Sequence, residues 1–286
     1  MIERRGVAVA ACAYAVAAAG LTATTPHDAR AQMNDGRIAF NMGLDASHAY
    51  FFRGIRQERA GIIVQPYFDA TFSLLEDGGR NSIGLTVGQW NSVHSSAPVA
   101  PAGPYAWYES DFITGLRFGL ANWEAGLTYT AYTSPSRSFG TVQEVGITLS
   151  LDDTGVTMLP LPLQPHLAIA IELQGQADGG AGEGAYFELG IEPGVDLAGG
   201  AAAVAVPLTL GMSLHNYYED GGPTDDVFGY LDLGIVLGIP LNVPESYGAW
   251  ELTGGAHLLL LGRYLEFVNG GNQLQAIGSV GLSIGY

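Results

Sequence analysis

Lysine is absent from this 286-residue chain, and charge of any kind is scarce. The 11 basic residues are all arginine and stand against 28 acidic residues, which gives a formal net charge of −17. A chain so poor in basic residues cannot form the basic stripe that neutralises phosphates, which argues against nucleic-acid binding. Intrinsic disorder requires low hydrophobicity, and it is excluded because 48% of the residues are apolar.

Cysteine is nearly absent as well, and the single one, Cys12, lies close to the start of the chain. A short basic start precedes an apolar run over residues 6–21, which is too short for a membrane-spanning helix. A small-x-small cleavage pattern follows at residues 29–31. We therefore predict a secretory signal peptide over residues 1–31 and an exported, disulfide-free domain over residues 32–286. An uncleaved membrane anchor, or lipidation of the cysteine, is the alternative.

Long apolar runs are missing after residue 31, and apolar and polar residues alternate instead, with turn-forming residues between the alternating segments. In the last segment Val280, Leu282 and Ile284 share one face, while Ser279 and Ser283 share the other. A period of two predicts β-strands. The twelve strands predicted in this way are 37–54, 62–74, 81–90, 107–120, 122–132, 141–151, 163–175, 185–197, 202–215, 227–239, 249–261 and 274–286.

Two architectures produce such alternation. A soluble β-sandwich turns its polar face to water, whereas a transmembrane barrel turns its apolar face to lipid and its polar face to the lumen. The polar faces here carry Gly, Ser, Thr, Gln and carboxylates without lysine, which favours the barrel. We predict an all-β fold, a single antiparallel transmembrane β-barrel of about twelve strands. The aromatic residues expected at the membrane boundaries are Phe40, Tyr50, Phe52, Phe72, Tyr108, Phe118, Trp123 and Trp250.

This architecture predicts the outer membrane of a Gram-negative bacterium as the location, with export through the cleaved signal peptide. The expected partners are outer-membrane lipid, lipopolysaccharide and, through the last strand ending at Tyr286, the barrel-assembly machinery; a monomer without cofactor is expected. With both termini periplasmic, the connection 55–61 is external but brief. Its Arg56 and Arg59, with Arg53 just before, could bind lipopolysaccharide phosphates or neutralise an acidic rim.

The inward phase of the predicted strands collects many carboxylates and few guanidiniums. Unpaired carboxylates are costly in a dry interior, so we predict a hydrated lumen of negative potential, unless several of them lie at the solvated rims. Trp90 could line a constriction with Tyr67, Tyr132 and Tyr186, or these rings could simply pack. The residues predicted to line the pore are Asp69, Glu109, Asp111, Glu144, Glu188, Asp232, Arg53, Arg117 and Trp90.

The leading functional hypothesis is a narrow passive channel that prefers cations or small neutral solutes. A closed structural or surface-interaction barrel is the second. An outer-membrane hydrolase is the third, since His94 precedes Ser95 and Ser213 lies near His215, but adjacency in sequence does not establish a catalytic pair. No metal-ligand spacing is present, although the loop carboxylates around residues 219–226 could bind divalent cations weakly.

Four motifs resemble a known family. They are Ser47-His48-Ala49-Tyr50-Phe51-Phe52-Arg53-Gly54-Ile55-Arg56-Gln57, Gly88-Gln89-Trp90-Asn91-Ser92-Val93, Glu109-Ser110-Asp111 with Gly115, and Gly126-Leu127-Thr128-Tyr129-Thr130-Ala131-Tyr132. In this order they resemble the TorF-type porins, a proteobacterial family of outer-membrane proteins, over roughly residues 37–150. The resemblance implies an outer-membrane barrel with a transport role.

The chain departs from that family at two positions of the first motif. Ala49 stands where the family usually has Asp, and Arg56 where it usually has Ser. A carboxylate immediately before Tyr50 is therefore missing as a partner for Arg53. If the first strand keeps its register, Arg53 points inward and is expected to pair with a carboxylate of a neighbouring strand.

Overall fold

A computed structural model describes residues 37–77, 81–96, 106–156, 161–219 and 225–286 of the chain. The predicted signal peptide with Cys12 lies outside these residues, as does Asp220. Within the described ranges, no helix has the length and apolar content needed to cross a bilayer.

Nearly all of the regular structure is β-strand, as the alternation predicts. The strands are β1 (Ile38–Ser47), β2 (Tyr50–Phe52), β3 (Ile55–Glu58), β4 (Ile63–Glu76), β5 (Asn81–His94), β6 (Trp107–Leu120), β7 (Trp123–Thr133), β8 (Val142–Leu151), β9 (His166–Gln174), β10 (Ala185–Ile191), β11 (Gly194–Leu197), β12 (Ala202–Ala205), β13 (Leu208–His215), β14 (Phe228–Pro240), β15 (Ala249–Leu261) and β16 (Leu274–Gly285). The described residues add one short α-helix, α1 (Arg263–Val268), and a 3-10 turn at Glu245–Tyr247.

The strands close into a barrel in which every neighbour is antiparallel. The order around the wall is β1-β4-β5-β6-β7-β8-β9-β10-β13-β14-β15-β16, and β16 pairs with β1 from Asn41↔Gly285 to Ser47↔Ser279. Short β11 and β12 extend β10 and β13 past Pro193 and Pro207, where the missing proline N–H interrupts the ladder. The predicted twelve-stranded barrel is confirmed, with wall strands close to the predicted bounds.

Side chains along each wall strand alternate between the outside and the lumen. Large apolar residues such as Phe68, Leu127 and Ile235 are exposed on the outside, whereas buried Asp69 and Thr130 occupy inward positions. A closed barrel leaves no free strand edge, so every wall strand can satisfy its backbone within the sheet. The exposed apolar belt therefore defines the membrane-facing surface of a transmembrane β-barrel.

The predicted strand 37–54 is correct in its first part and wrong at its end. The wall strand ends at Ser47, and β2 and β3 pair as a separate hairpin that folds into the end of the lumen opposite the chain termini. We call residues 48–62 the inner hairpin. Tyr50 is 3% exposed, so it is no part of a membrane-boundary girdle. Tyr50 and Phe52 keep the even-numbered apolar phase of the wall strand, and for this reason alternation alone could not show where the wall stops.

Candidate functional site

The turn of the inner hairpin is built from two residues with positive φ, Arg53 (47°) and Gly54 (79°). Two consecutive left-handed residues are typical of the type I′ turn that joins two-residue hairpins. Glycine is favoured at the second position because other residues rarely adopt this φ, and an added Cβ would also lie 2.5 Å from Cδ1 of Leu265 in α1. The tip of the hairpin therefore packs against α1, and the Arg53 side chain extends into the lumen.

Arg53 is completely buried and is held as a charge. Its Nη1 and Nη2 donate to the two carboxylate oxygens of Glu144 at 2.6 and 2.7 Å, and Nη1 also donates to Tyr217 Oη at 2.7 Å. The guanidinium carbon lies 4.9, 4.4 and 5.2 Å from the ring centroids of Phe52, Tyr186 and Tyr217. Burial alone would lower the pKa of Arg53, but the Glu144 carboxylate together with Tyr217 and Tyr132 raises it by more, so the pKa lies above its ordinary value.

The predicted pairing of Arg53 with a carboxylate of a neighbouring strand is wrong in its geometry. Glu144 lies on β8, which is well removed from β1 around the wall, so the pair is made across the lumen. The reason is that Arg53 sits on the inner hairpin and not on the wall.

Further hydrogen bonds fix the hairpin backbone. Asn269, just after α1, donates from Nδ2 to the Gly54 carbonyl at 2.7 Å and accepts from the Arg56 N–H at 2.8 Å. Arg56 also donates from Nη1 to the Asn269 carbonyl at 2.5 Å, and Tyr218 Oη donates to the Arg53 carbonyl at 3.0 Å. Of the three arginines proposed for lipopolysaccharide, Arg53 is therefore buried and Arg56 is engaged within the protein.

Two inward carboxylates of β6 face the same hairpin. Tyr50 Oη donates to Glu109 at 2.9 Å, and its ring lies 5.5 Å from that of Trp90. Asp111, two residues on, is on the same side of the strand and 4% exposed, and its Oδ1 has no hydrogen-bond partner. A buried acceptor without a partner is costly, so Asp111 is poorly compensated at this level of the lumen.

Glu188 is a further buried carboxylate and lies close to the residues that surround Arg53. Tyr186 donates from its hydroxyl to Glu188 at 2.7 Å and lies 2.8 Å from the Tyr230 hydroxyl. Because Tyr186 also stacks on Arg53, Glu188 is linked to the hairpin through one ring. The structure thus gathers six of the predicted pore residues around the inner hairpin, namely Trp90, Glu109, Asp111, Glu144, Glu188 and Arg53 itself.

The other predicted pore residues lie apart from this group. Asp69 accepts from Asn41 Nδ2 at 3.1 Å. Arg117 forms a 2.8 Å ion pair with Glu124 on the adjacent strand. Asp232 lies 3.0 Å from His257 Nδ1. Each has a local partner on a neighbouring strand, so these groups line the wall without closing the lumen.

Sequence reasoning missed Tyr217, Tyr218 and Asn269, which complete the hairpin's surroundings. All three lie outside the wall strands and are 1% exposed or less. Their positions follow no alternating pattern, and their contacts with the hairpin join residues far apart in the chain. The aromatic pair Tyr217-Tyr218 in a polar loop was the one available signal.

His94, considered in the sequence with Ser95, lies instead between Ser92 and a carboxylate. Ser92 Oγ lies 2.9 Å from His94 Nε2, and His94 Nδ1 lies 4.0 Å from Glu58 of the hairpin. The histidine–carboxylate distance is too long for the hydrogen bond that orients a catalytic base. Ser92 is also completely buried, so the arrangement offers no accessible nucleophile.

The loop carboxylates proposed for cation binding already have protein partners. Asp225 accepts from Ser213 Oγ at 2.6 Å, and Asp226 forms a 2.7 Å ion pair with Arg263. Over the described part of the chain, no group of three His, Cys, Asp or Glu side chains is placed to hold a metal ion.

The closed antiparallel wall, its apolar belt and its polar lumen define a transmembrane β-barrel of the outer-membrane type. No family model matches the chain, and no curated protein matches it. Among solved structures it is similar to the NanC porin, with TM-score 0.45 and 12% identity over 85% of this chain and 98% of that one. It is also similar to the translocator domain of the autotransporter NalP from Neisseria meningitidis, with TM-score 0.41 and 12% identity over 89% and 90%. Because these TM-scores and sequence identities are low, the fold is assigned from the strand pairing within this chain.

Proposed function

We propose that the chain forms a narrow outer-membrane channel that prefers cations or small neutral solutes. The inner hairpin narrows this channel at the end opposite the chain termini. The observation that carries the proposal is the imbalance of charge facing the lumen. Arg117 is the sole arginine in the described wall strands, and it is already paired with Glu124. Asp69, Glu109 and Asp111 form hydrogen bonds to neutral partners or to none, which supports a negative lumen potential of the kind that concentrates cations and repels anions.

The proposal assigns the protein no catalytic reaction, and the TorF-type resemblance and the lipid and assembly partners remain predictions. It requires that solutes pass beside the inner hairpin or that the hairpin moves. Twelve strands enclose less space than the sixteen to eighteen of wide porins, which supports a small conductance.

Planar-bilayer recording in a salt gradient tests the channel. We expect a reversal potential of the sign given by cation preference, and a smaller one for Asp69→Asn, because that change removes negative charge from the lumen. Glu245→Gln is the matched control, since Glu245 is exposed in a connection at the end carrying the termini and should leave selectivity unchanged. Anion preference, or equal effects of the two substitutions, would refute cation selection by the lumen.

A closed barrel that acts through its loops is the second candidate, and the complete burial of Arg53 favours it. The two are separated by a variant that weakens the hairpin, such as Gly54→Ala. A channel restricted by the hairpin should then conduct more, whereas a closed structural barrel should stay silent in both forms.

A further inference from the structure

The surroundings of Arg53 have the chemistry of a guanidinium receptor. A carboxylate binds both terminal nitrogens, a phenol oxygen accepts a further hydrogen bond, and aromatic rings lie about 5 Å from the guanidinium carbon. The forked geometry selects guanidinium over ammonium, which is a point charge without a fork. The rings add cation–π attraction that is strong when water is excluded.

Most of this cage belongs to the barrel and not to the hairpin. Glu144 lies on β8, Tyr186 on β10, and Tyr217 in the connection after β13. Tyr132 on β7 donates to Glu144 Oε1 at 3.2 Å and so orients the carboxylate independently of the hairpin. These four residues, which we call the guanidinium cage, therefore remain when the hairpin leaves.

Arg53 fits the cage imperfectly. Its Nε is buried without a hydrogen-bond partner, and its φ of 47° is one that non-glycine residues rarely adopt. The buried donor without an acceptor opposes the docked state because it costs free energy, whereas the positive φ belongs to the hairpin turn and limits how Arg53 can adjust to the cage. A free guanidinium solute is not tied to a backbone, so it can adjust its orientation within the cage.

We propose that the guanidinium cage is a binding site for small guanidinium-bearing solutes, and that Arg53 is an internal ligand with which such a solute competes. A solute that takes the cage releases the inner hairpin from the lumen. The proposal adds a ligand class to the proposed channel, but binding and hairpin release are measurable whether or not the barrel conducts.

Thiol labelling of the hairpin tests the competition. Ala49 belongs to the docked hairpin and is 3% exposed, so an Ala49→Cys thiol in the full chain carrying Cys12→Ser should react slowly with a maleimide. Ethylguanidinium at about ten times its Kd should speed labelling up to about tenfold and saturably. Ethylammonium at the same ionic strength should not, because it lacks the fork.

Variants of Arg53 and of its partner Glu144 should each respond to ethylguanidinium differently from the parent protein. With Arg53→Ala, labelling should already be fast and ethylguanidinium should slow it, since the solute fills the vacated cage and restores the charge partner of Glu144. With Glu144→Gln, labelling should not respond to ethylguanidinium. If Arg53→Ala yields no folded barrel, Arg53→Lys replaces it and should respond at a lower ethylguanidinium concentration than the parent protein.

Three outcomes would overturn the proposal: a labelling rate independent of ethylguanidinium, an equal effect of ethylammonium, or an undiminished effect in Glu144→Gln. If the protein conducts but shows any of these three outcomes, the channel function is supported and the guanidinium site is refuted. A protein that responds as expected but never conducts loses the channel and keeps the cage.

Discussion

Arg53 is a charge removed from water and compensated by a single carboxylate, that of Glu144. Removing one member of a buried ion pair leaves the other uncompensated, so we expect Arg53→Ala to lower the free energy of unfolding by about 3–5 kcal/mol. Arg117→Ala is the matched control, because the Arg117–Glu124 pair is partly solvent-exposed and should cost about 1 kcal/mol or less. Urea unfolding in lipid vesicles measures both, and equal costs would contradict the buried pair's role.

Asp178, in the connection after β9, predicts a pH dependence. Burial raises the pKa of its carboxyl to about 7, although the Gly180 N–H donates to it. Because the folded pKa lies above the unfolded value, ionisation opposes folding, and stability falls as pH rises from about 4 to 7. Asp178→Asn should therefore stabilise the protein by about 1–3 kcal/mol at pH 8 and not at pH 4.

Asp152 is a control of opposite sign. Burial would raise the pKa of Asp152, but hydrogen bonds from Thr154 and Gln164 lower it by more. Asp152→Asn should accordingly cost stability at pH 8. Unfolding curves at both pH values measure the two variants, and a gain for both would show that the effect is merely the loss of one negative charge.

At the level of residues, the sequence predicted which acids point into the lumen but not which of them meet. Phase along a strand decides that Glu144 and Glu188 face inward, since successive side chains alternate. It cannot decide that Arg53 reaches Glu144, because that contact spans the lumen and depends on a hairpin that leaves the wall. The same limit applies to Asn269, whose loop has no period to read.

The inner hairpin depends on its two-residue turn. Gly54 combines φ of 79° with a close approach to Leu265, so Gly54→Ala should strain the turn and displace the hairpin from α1. We expect a higher single-channel conductance and faster protease cleavage within residues 48–62. Gly140→Ala is the control, since an added Cβ there meets nothing within 4 Å. Unchanged cleavage in the Gly54 variant would show that the turn tolerates the side chain.

Among the elements, the alternating segments predicted the wall strands well, because lipid on one side and a polar lumen on the other enforce a period of two. Pro193 divides the predicted strand 185–197 into β10 and β11, and Pro207 divides the predicted strand 202–215 into β12 and β13. The alternation of apolar and polar residues did not show these divisions. The first predicted strand failed for a different reason. Residues 49–54 are buried or half-buried inside the barrel and are under no demand to alternate.

At the scale of the whole molecule, apolar side chains face outward and polar side chains face inward, which is the reverse of a soluble protein. Two neighbouring residues of β7 allow a direct test of this arrangement. Leu127 faces the belt, whereas its neighbour Thr128 lies on the opposite, lumen-facing side of the strand. Leu127→Arg should reduce the free energy of folding into vesicles by about 2–4 kcal/mol, because it places a charge in hydrocarbon. Thr128→Arg should cost less. If the lumen substitution proves the costlier, the outer face is not the one that lipid covers.

The seam between β1 and β16 has a consequence for biogenesis. It unites strands from opposite ends of the described chain, so cylinder closure is a late event that local zippering of adjacent hairpins cannot replace. Until it forms, both seam strands expose a ladder of unmatched amides, the kind of edge that recruits foreign strands. A nascent barrel of this design therefore needs a chaperone until the seam has formed. Substitutions that disrupt the seam should cause aggregation.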